Sequence, residues 1–232
     1  MKAVILAGGL GTRLRPFTEI IPKPLLPIGE KSVLEIQIAR LKKYGFDEIF
    51  LATNYKADYL ERFVGTGAHY GVKITVSKEQ TPLGTAGPLT LLREQLTEPF
   101  FVMNGDILSL LDFSAFYQFA IQNQAWLTLA IHEHITPYAF GDVFFKGDLV
   151  TGIEEKPKII KFILAGMYVM RPEIFTVIPD GAYYGMDSLI KDMLQKQFPV
   201  VKYEMHDYWL DIGQANDYEQ AQQDAKGGKF TA

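Results

Sequence analysis

The chain of 232 residues contains no cysteine. That excludes disulfides and thiolate metal sites, and it fits a reducing compartment. Histidine is scarce: of the four, His132 and His134 alternate on one face of a predicted strand, with no third metal ligand suggested nearby. Positive charge is not in excess either. Lys and Arg number 23 against 27 Asp and Glu, a net charge of −4, so no global basic field is available to hold DNA or RNA. The 16 Phe and 12 Tyr are spread along the chain and read as core, not as a platform for stacking bases. Long apolar runs are also missing. The first, Ala3 to Ala7, meets Gly8, Gly9 and Arg13, too early for a signal segment and far too early to span a membrane. No linker, repeat or low-complexity stretch divides the chain. The reading is one cytoplasmic domain over 1–225, a disordered tail over 226–232, no nucleic-acid or membrane partner, and a homodimer.

What is present is alternation of strand and helix. Residues 2–7 read as a buried strand that ends at glycines. A helix follows from about Ser32, where Ser32 and Glu35 make a candidate capping box and Leu34, Ile38 and Leu41 share one face. "EIFLAT", "VKITVSKEQ" and "PFFVMNGD" read as further strands, with a short helix at about 56–64 and a helical "TAGPLTLLREQL" between them. The order β-α-β-α-β-α-β-α implies an α/β fold with a doubly wound, Rossmann-like parallel sheet and helices on both faces. The second half is more mixed, with hairpin material in "YAFGDVFFKGDLVTGIEEKP", a strand in "FILAGMYVM" and helices near 186–197 and 214–225. Ligands of such sheets sit at the carboxyl ends of the strands. Both Gly8–Arg13 and Asp106 fall at such ends and can face one crevice.

The glycine loop fits neither common phosphate template. Leu14 stands where G-x-G-x-x-G needs its third glycine, and no G-x-x-x-x-G-K-[ST] window exists. Glycines nevertheless let backbone N–H groups converge on an anion. Thr12 adds a hydroxyl, Arg13 a planar fork for phosphate oxygens and Lys23 a compact charge. Read alone, Asp106 is equally a turn aspartate. Asp211, flanked by Leu210 and Ile212, needs a partner.

The stretch "GGLGTRLRPFTEIIPKPLLPI" resembles the signature of the sugar-1-phosphate nucleotidyltransferases, G-G-x-G-T-R-L-x-P-x-T-x-x-x-P-K-P-L-x-P-I. "NGD" at 104–106, "EEKP" at 154–157, "AGMYV" at 165–169 and "WLDIG" at 209–213 follow in the family's order. The resemblance implies a mixed, mainly parallel sheet of the nucleotide-diphospho-sugar transferase type. It implies attack of a sugar 1-phosphate on a nucleoside triphosphate, with Mg2+ held by Asp106 and Asp211. Arg13, Lys23 and Asp106 would be catalytic. Leu6, Ala7, Gly8, Gly9, Gly11, Thr12, Arg13, Gln80, Gly84, Thr85 and Asp106 would bind the nucleotide. Asn104, Gly141, Glu155, Lys156, Gly166 and Asp187 would bind the sugar phosphate.

"PLGTAGPL" is most similar to guanylyltransferases acting on mannose 1-phosphate, where thymidylyl- and uridylyltransferases carry "GLAQA" or "GLGHA". "YYGMDSLIKDML" resembles enzymes for heptose or amino-sugar 1-phosphates. Thr85 and Asp187 would serve equally as helix caps. The alternatives are the same chemistry with UTP, CTP or dTTP and a glucose 1-phosphate, or a regulatory homologue without turnover. No hexapeptide repeats follow "WLDIG", so no C-terminal β-helix is expected.

Overall fold

Val4 and Ile5 have no exposed surface, because their strand is an interior one of seven, paired on both edges. The structure is a computed structural model and describes residues 1–230. In chain order, β1 (Lys2–Leu6) leads through the glycine loop to α1 (Phe17–Ile20), β2 (Pro27–Ile28), β3 (Lys31–Ser32) and α2 (Val33–Lys43). Then come β4 (Glu48–Thr53), α3 (Ala57–Val64), β5 (Lys73–Lys78), β6 (Phe100–Asn104), β7 (Ile107–Ser109) and α4 (Phe113–Asn123). The second half holds β8 (Leu127–Pro137), β9 (Asp142–Lys146), β10 (Leu149–Glu154), β11 (Lys158–Met170), α5 (Met186–Gln195), β12 (Val200–Met205), β13 (Trp209–Asp211) and α6 (Ala215–Lys226).

The main sheet runs β12-β8-β11-β6-β1-β4-β5. β1 pairs in parallel with β4 and β6, β4 with β5, and β12 with β8; β11 alone runs antiparallel to both of its neighbours, β6 and β8. The mixed, mainly parallel α/β sheet implied by the family resemblance is what the structure contains. α6 is its last element, and no C-terminal β-helix is present among the described residues.

The strands are apolar on both sides because both sides are covered. Ala3, Ile5, Phe101 and Met103 enter one core with Leu34, Ile38 and Leu41 of α2. Val4, Phe100 and Val102 enter the other, with Leu89, Leu92 and α5 residues Leu189 and Met193. α2 starts at the expected capping box: the Ser32 hydroxyl accepts from Glu35 N, and the Glu35 carboxylate accepts from Ser32 N at 2.7 Å. "TAGPLTLLREQL" forms a 3-10 helix, Gly87–Leu92, with Pro88 in its first turn where no N–H is missed.

The tail differs from the expectation of disorder. α6 runs to Lys226, and Phe230 buries itself beside Leu108, Ile212 and Ala221 in a third cluster. Lys229 pairs with Asp224 at 2.7 Å and lies over the Tyr208 ring. Apolar burial at Phe230 holds this end, which charge and glycine content alone do not reveal. Thr231 and Ala232 lie outside the described residues. No helix among the described residues is long and apolar enough to cross a membrane.

Candidate active site

Leu6 and Asn104 stand side by side where β1 and β6 end. The Gly105 N–H then donates to the Leu6 carbonyl at 2.9 Å. A Cβ at Gly105 would fall 2.9 Å from the same oxygen, so only glycine permits this approach. The two strand ends therefore deliver the glycine loop and Asp106 to one place. Gly11 turns the loop in the left-handed region, at φ 61°, and the Thr18 hydroxyl donates to its carbonyl at 2.8 Å.

The cations and carboxylates converge here. Lys23 Nζ forms an ion pair with Asp106 Oδ2. β7 and β13 make a two-stranded ribbon that pairs Ile107 with Asp211, and Ile212 N donates to the Asp106 carbonyl at 3.0 Å. The Arg13 guanidinium lies 3.4 Å from where a Cβ would stand on Gly213. Burial holds the Asp211 carboxyl above the ordinary carboxylate value, the charge of Asp106 adds to this, and Lys23 and Arg13 oppose it. Asp106 Oδ1 and Asp211 Oδ1 are buried without a hydrogen-bond partner. Two such oxygens, on carboxyls near enough for the charge of Asp106 to act on Asp211, are the donors a hard, oxygen-seeking cation takes.

Two clefts meet at this point. One, of about 420 Å3, lies between Gly8–Leu10 and Gly84–Thr85 and is walled by Asn54, Glu79, Asn104 and Tyr183. The other, of about 300 Å3, lies over Gly11, Thr12, Arg13, Lys23 and Gly213. They share Gly9, Leu10 and Asp106.

Of the residues singled out in the sequence, Leu6, Gly8, Gly9, Gly84, Thr85, Asn104 and Asp106 line the first cleft. Gly11, Thr12, Arg13 and Lys23 line the second. Gly166 sits at φ 67° in an irregularity of β11, where a Cβ would come 2.7 Å from Asn104 Nδ2. Its missing side chain makes room for Asn104. Thr85 does cap a helix, but a distant one: its hydroxyl accepts from Met186 N, the first residue of α5, at 2.7 Å.

Eight of the expected residues do not line either cleft; Gly166 and Asp211, described above, support the site from behind, and the other six lie elsewhere. Ala7 is buried beneath the loop, its N–H donating to the Ala52 carbonyl at 2.7 Å. Gln80 is exposed. Asp187 lies on the outer face of α5 and pairs with Lys191 at 3.0 Å, one helical turn away. Gly141, Glu155 and Lys156 lie together on the outlying β9–β10 segment, exposed to solvent.

Several cleft-lining residues, Asn54, Glu79 and Tyr183 among them, escaped the sequence reading, as did the supporting Gln37. Glu79 is half-buried, Oε2 accepts from Leu83 N at 2.8 Å, and burial raises its pKa. Its signal was position: it directly follows β5, at a strand's carboxyl end. Gln37 is buried on α2 and donates from Nε2 to the carbonyls of Asn104 (3.0 Å) and Ile107 (2.8 Å), clamping the turn that carries Asp106. As a polar residue among the apolar positions of α2, it was visible as a helix residue that needed a partner.

A mainly parallel α/β sheet thus brings cations, a glycine loop and two aspartates together at its strand ends. The chain belongs to the nucleotidyl transferase family, whose model matches residues 2–227. It is 36% identical over 226 residues to the mannose-1-phosphate guanylyltransferase catalytic subunit beta of Danio rerio. It is 34% identical over 228 residues to a mannose-1-phosphate guanyltransferase of Yarrowia lipolytica. Each alignment covers 94% of this chain and 62% of the relative, so the chain spans under two thirds of their length. HddC from Yersinia pseudotuberculosis matches in structure with a TM-score of 0.76 at 29% identity, over 97% of this chain and 99% of that one. The same protein has also been solved in complex with GMP-PN, and that structure matches at 28% identity.

Proposed function

We propose that this chain transfers a guanylyl group from GTP to the phosphate of a mannose, heptose or amino-sugar 1-phosphate, releasing pyrophosphate. A phosphate oxygen of the sugar 1-phosphate attacks the α-phosphorus, and the bond from that phosphorus to the β-phosphate oxygen breaks. A phosphate monoester is largely a dianion near neutral pH, its second pKa being about 6, so no general base is required. The obstacle is bringing two polyanions together, and phosphoryl transfer rests on positioning and charge stabilisation. The convergence of Arg13, Lys23, Asp106 and Asp211 at the junction of two clefts carries this reading.

Arg13 and the loop N–H groups bind the triphosphate. Lys23, which salt-bridges Asp106 where the clefts meet, lies where both substrates' charges accumulate. Asp106 and Asp211 would hold Mg2+ through their unpartnered buried oxygens. The ion would supply Lewis-acid neutralisation of the reacting phosphate oxygens.

Glu79 supports the choice of GTP. Its Oε1 points to the glycine side of the cleft, 3.0 Å from where a Cβ of Gly8 would stand. A carboxylate only accepts hydrogen bonds. Guanine presents N1–H and N2–H2 as two adjacent donors; uracil and thymine present one donor between carbonyls that repel a carboxylate. A homodimer in the cytoplasm, without nucleic-acid or membrane partners, completes the reading, in keeping with a cysteine-free, net acidic chain.

Pyrophosphate release with Mg2+, over five nucleoside triphosphates crossed with a panel of sugar 1-phosphates, tests it. GTP is expected to be preferred, and Glu79→Gln to lower kcat/KM for GTP more than tenfold without lowering it for UTP or dTTP. Absence of turnover with every pair would refute the enzyme reading. A tenfold preference of the wild type for dTTP or UTP would refute the choice of GTP and the role of Glu79, and leave nucleotidyl transfer standing.

A further inference from the structure

Between His132 and Leu164 the chain leaves the body of the fold as a β-arm. Beyond His132, β8 pairs only with β11, and from Lys158 to Leu164 β11 pairs only with β8. β9 and β10 pair only with each other. The arm is rich in apolar side chains that face solvent, with local contacts only, such as the edge-on meeting of Tyr138 and Phe140. Phe140 is 70% exposed, Phe145 72%, Leu149 71% and Ile153 71%, with Ile160 and Phe162 each more than half exposed. Phe144 and Phe145 are consecutive in β9, so they point to opposite faces, and both are more than half exposed. Apolar surface therefore covers both sides of the arm.

The exposed apolar side chains together present on the order of 1,000 Å2, since a single aromatic contributes about 150–250 Å2 when whole. Monomers rarely show a contiguous patch above about 300–600 Å2, whereas a stable interface needs about 800 Å2 from each partner. The outer strand edges are open, a geometry that unpartnered proteins avoid.

We propose that this arm is the interface of a two-fold dimer, in which the arm of one copy clasps the arm of a second. Charge selects this occupant. From Glu133 to Lys161 the arm carries Glu133, Asp142, Asp148, Glu154 and Glu155 against Lys146, Lys156, Lys158 and Lys161, interspersed and nearly balanced. Such a surface is complementary to itself and has no field that favours a polyanion or an anionic lipid surface. An antiparallel meeting of one strand edge with its own copy is two-fold symmetric by construction. A flat partner would cover one face of the arm and leave the other wet; a clasped twin covers both. The same arm carries Glu155 and Lys156, so its pairing would also fix these two residues, which the single chain leaves in solvent.

Sedimentation velocity of the full chain, from low to high micromolar, should give twice the mass of one chain. The double variant Phe145→Glu with Leu149→Lys should sediment as a monomer with an unchanged far-UV spectrum, since neither side chain packs in the single chain. Hydrogen exchange of wild type should show protection over 138–164 that falls on dilution. A monomeric wild type, a dimeric double variant or concentration-independent exchange would each overturn the proposal. So would co-sedimentation of a monomeric wild type with neutral phosphatidylcholine vesicles, which would assign the arm to a membrane surface instead.

Discussion

The crevice and the β-arm are both built on strands, yet they use their side chains in opposite ways. At the crevice each key group is held by another part of the same chain: Lys23 by Asp106, the Asp106 turn by Gln37, Asn104 by the space at Gly166. Along the arm the backbone ladder is just as regular, but the side chains of Phe145, Leu149 and Ile153 face solvent. Strand pairing gives shape in both places; only the crevice also has a core behind it. Precision at the first is a property of one chain, and order at the second depends on what covers it.

The sharpest way to test the crevice is to remove its charges. Asp106→Asn should lower turnover by about three orders of magnitude with an unchanged far-UV spectrum, because it withdraws a proposed metal ligand and the partner of Lys23. Near-normal turnover would dissociate the carboxylate from the chemistry. Arg13→Ala should cost about 10²-fold, read as kcat/KM for the triphosphate.

Stability should separate the two regions cleanly. Phe101→Ala, in the fully buried core beneath the crevice, should lose about 3–5 kcal/mol in urea denaturation. Phe145→Ala, in dilute protein, should stay within about 0.5 kcal/mol of wild type. Equal losses would erase the contrast. Gln37→Leu should cost about 1–3 kcal/mol by leaving two buried carbonyls unpaired, and should depress kcat more than KM for the sugar phosphate.

The smallest effect concerns the packed C-terminal end. Burial alone would raise the pKa of Asp224, but hydrogen bonds from Lys229 and Tyr208 outweigh it and hold the carboxyl below its ordinary value. The folded state therefore favours the ionised form. Its contribution is complete above the unfolded value of about 3.9 and is lost as pH falls through the lower folded value. Asp224→Asn should lower Tm at neutral pH, and the deficit should shrink as thermal scans move below about pH 4.

Much of the fold was legible because local signals agreed. The Ser32–Glu35 box, the apolar strands and the glycines at strand ends each had one physical solution, and Asp106 with Arg13 could be placed at one crevice from strand polarity alone. The arm was legible as a hairpin but not as exposed, because an apolar alternation reads the same whether its cover comes from this chain or another. Lys156 and Glu155 were found as letters of a motif, and a string of letters does not say how far a hairpin carries them from the sheet. Gln80 was preferred to Glu79 although strand-end placement favours the residue that directly follows β5, a choice that one residue of register decides. Phe230 was lost among glycines and lysines that suggest fraying, although one buried ring suffices to anchor a short tail.

Gln37 has a consequence beyond its two hydrogen bonds. It belongs to the second turn of α2, whose first turn is set by Ser32 and Glu35. Through it the aspartate turn is keyed to a helix that lines neither cleft, so a shift of that helix is expected to carry Asp106 with it. Substitutions on the outer face of α2, remote from both clefts, are then expected to tune the proposed reaction by tilting the carboxylate, without altering any residue that lines a cleft.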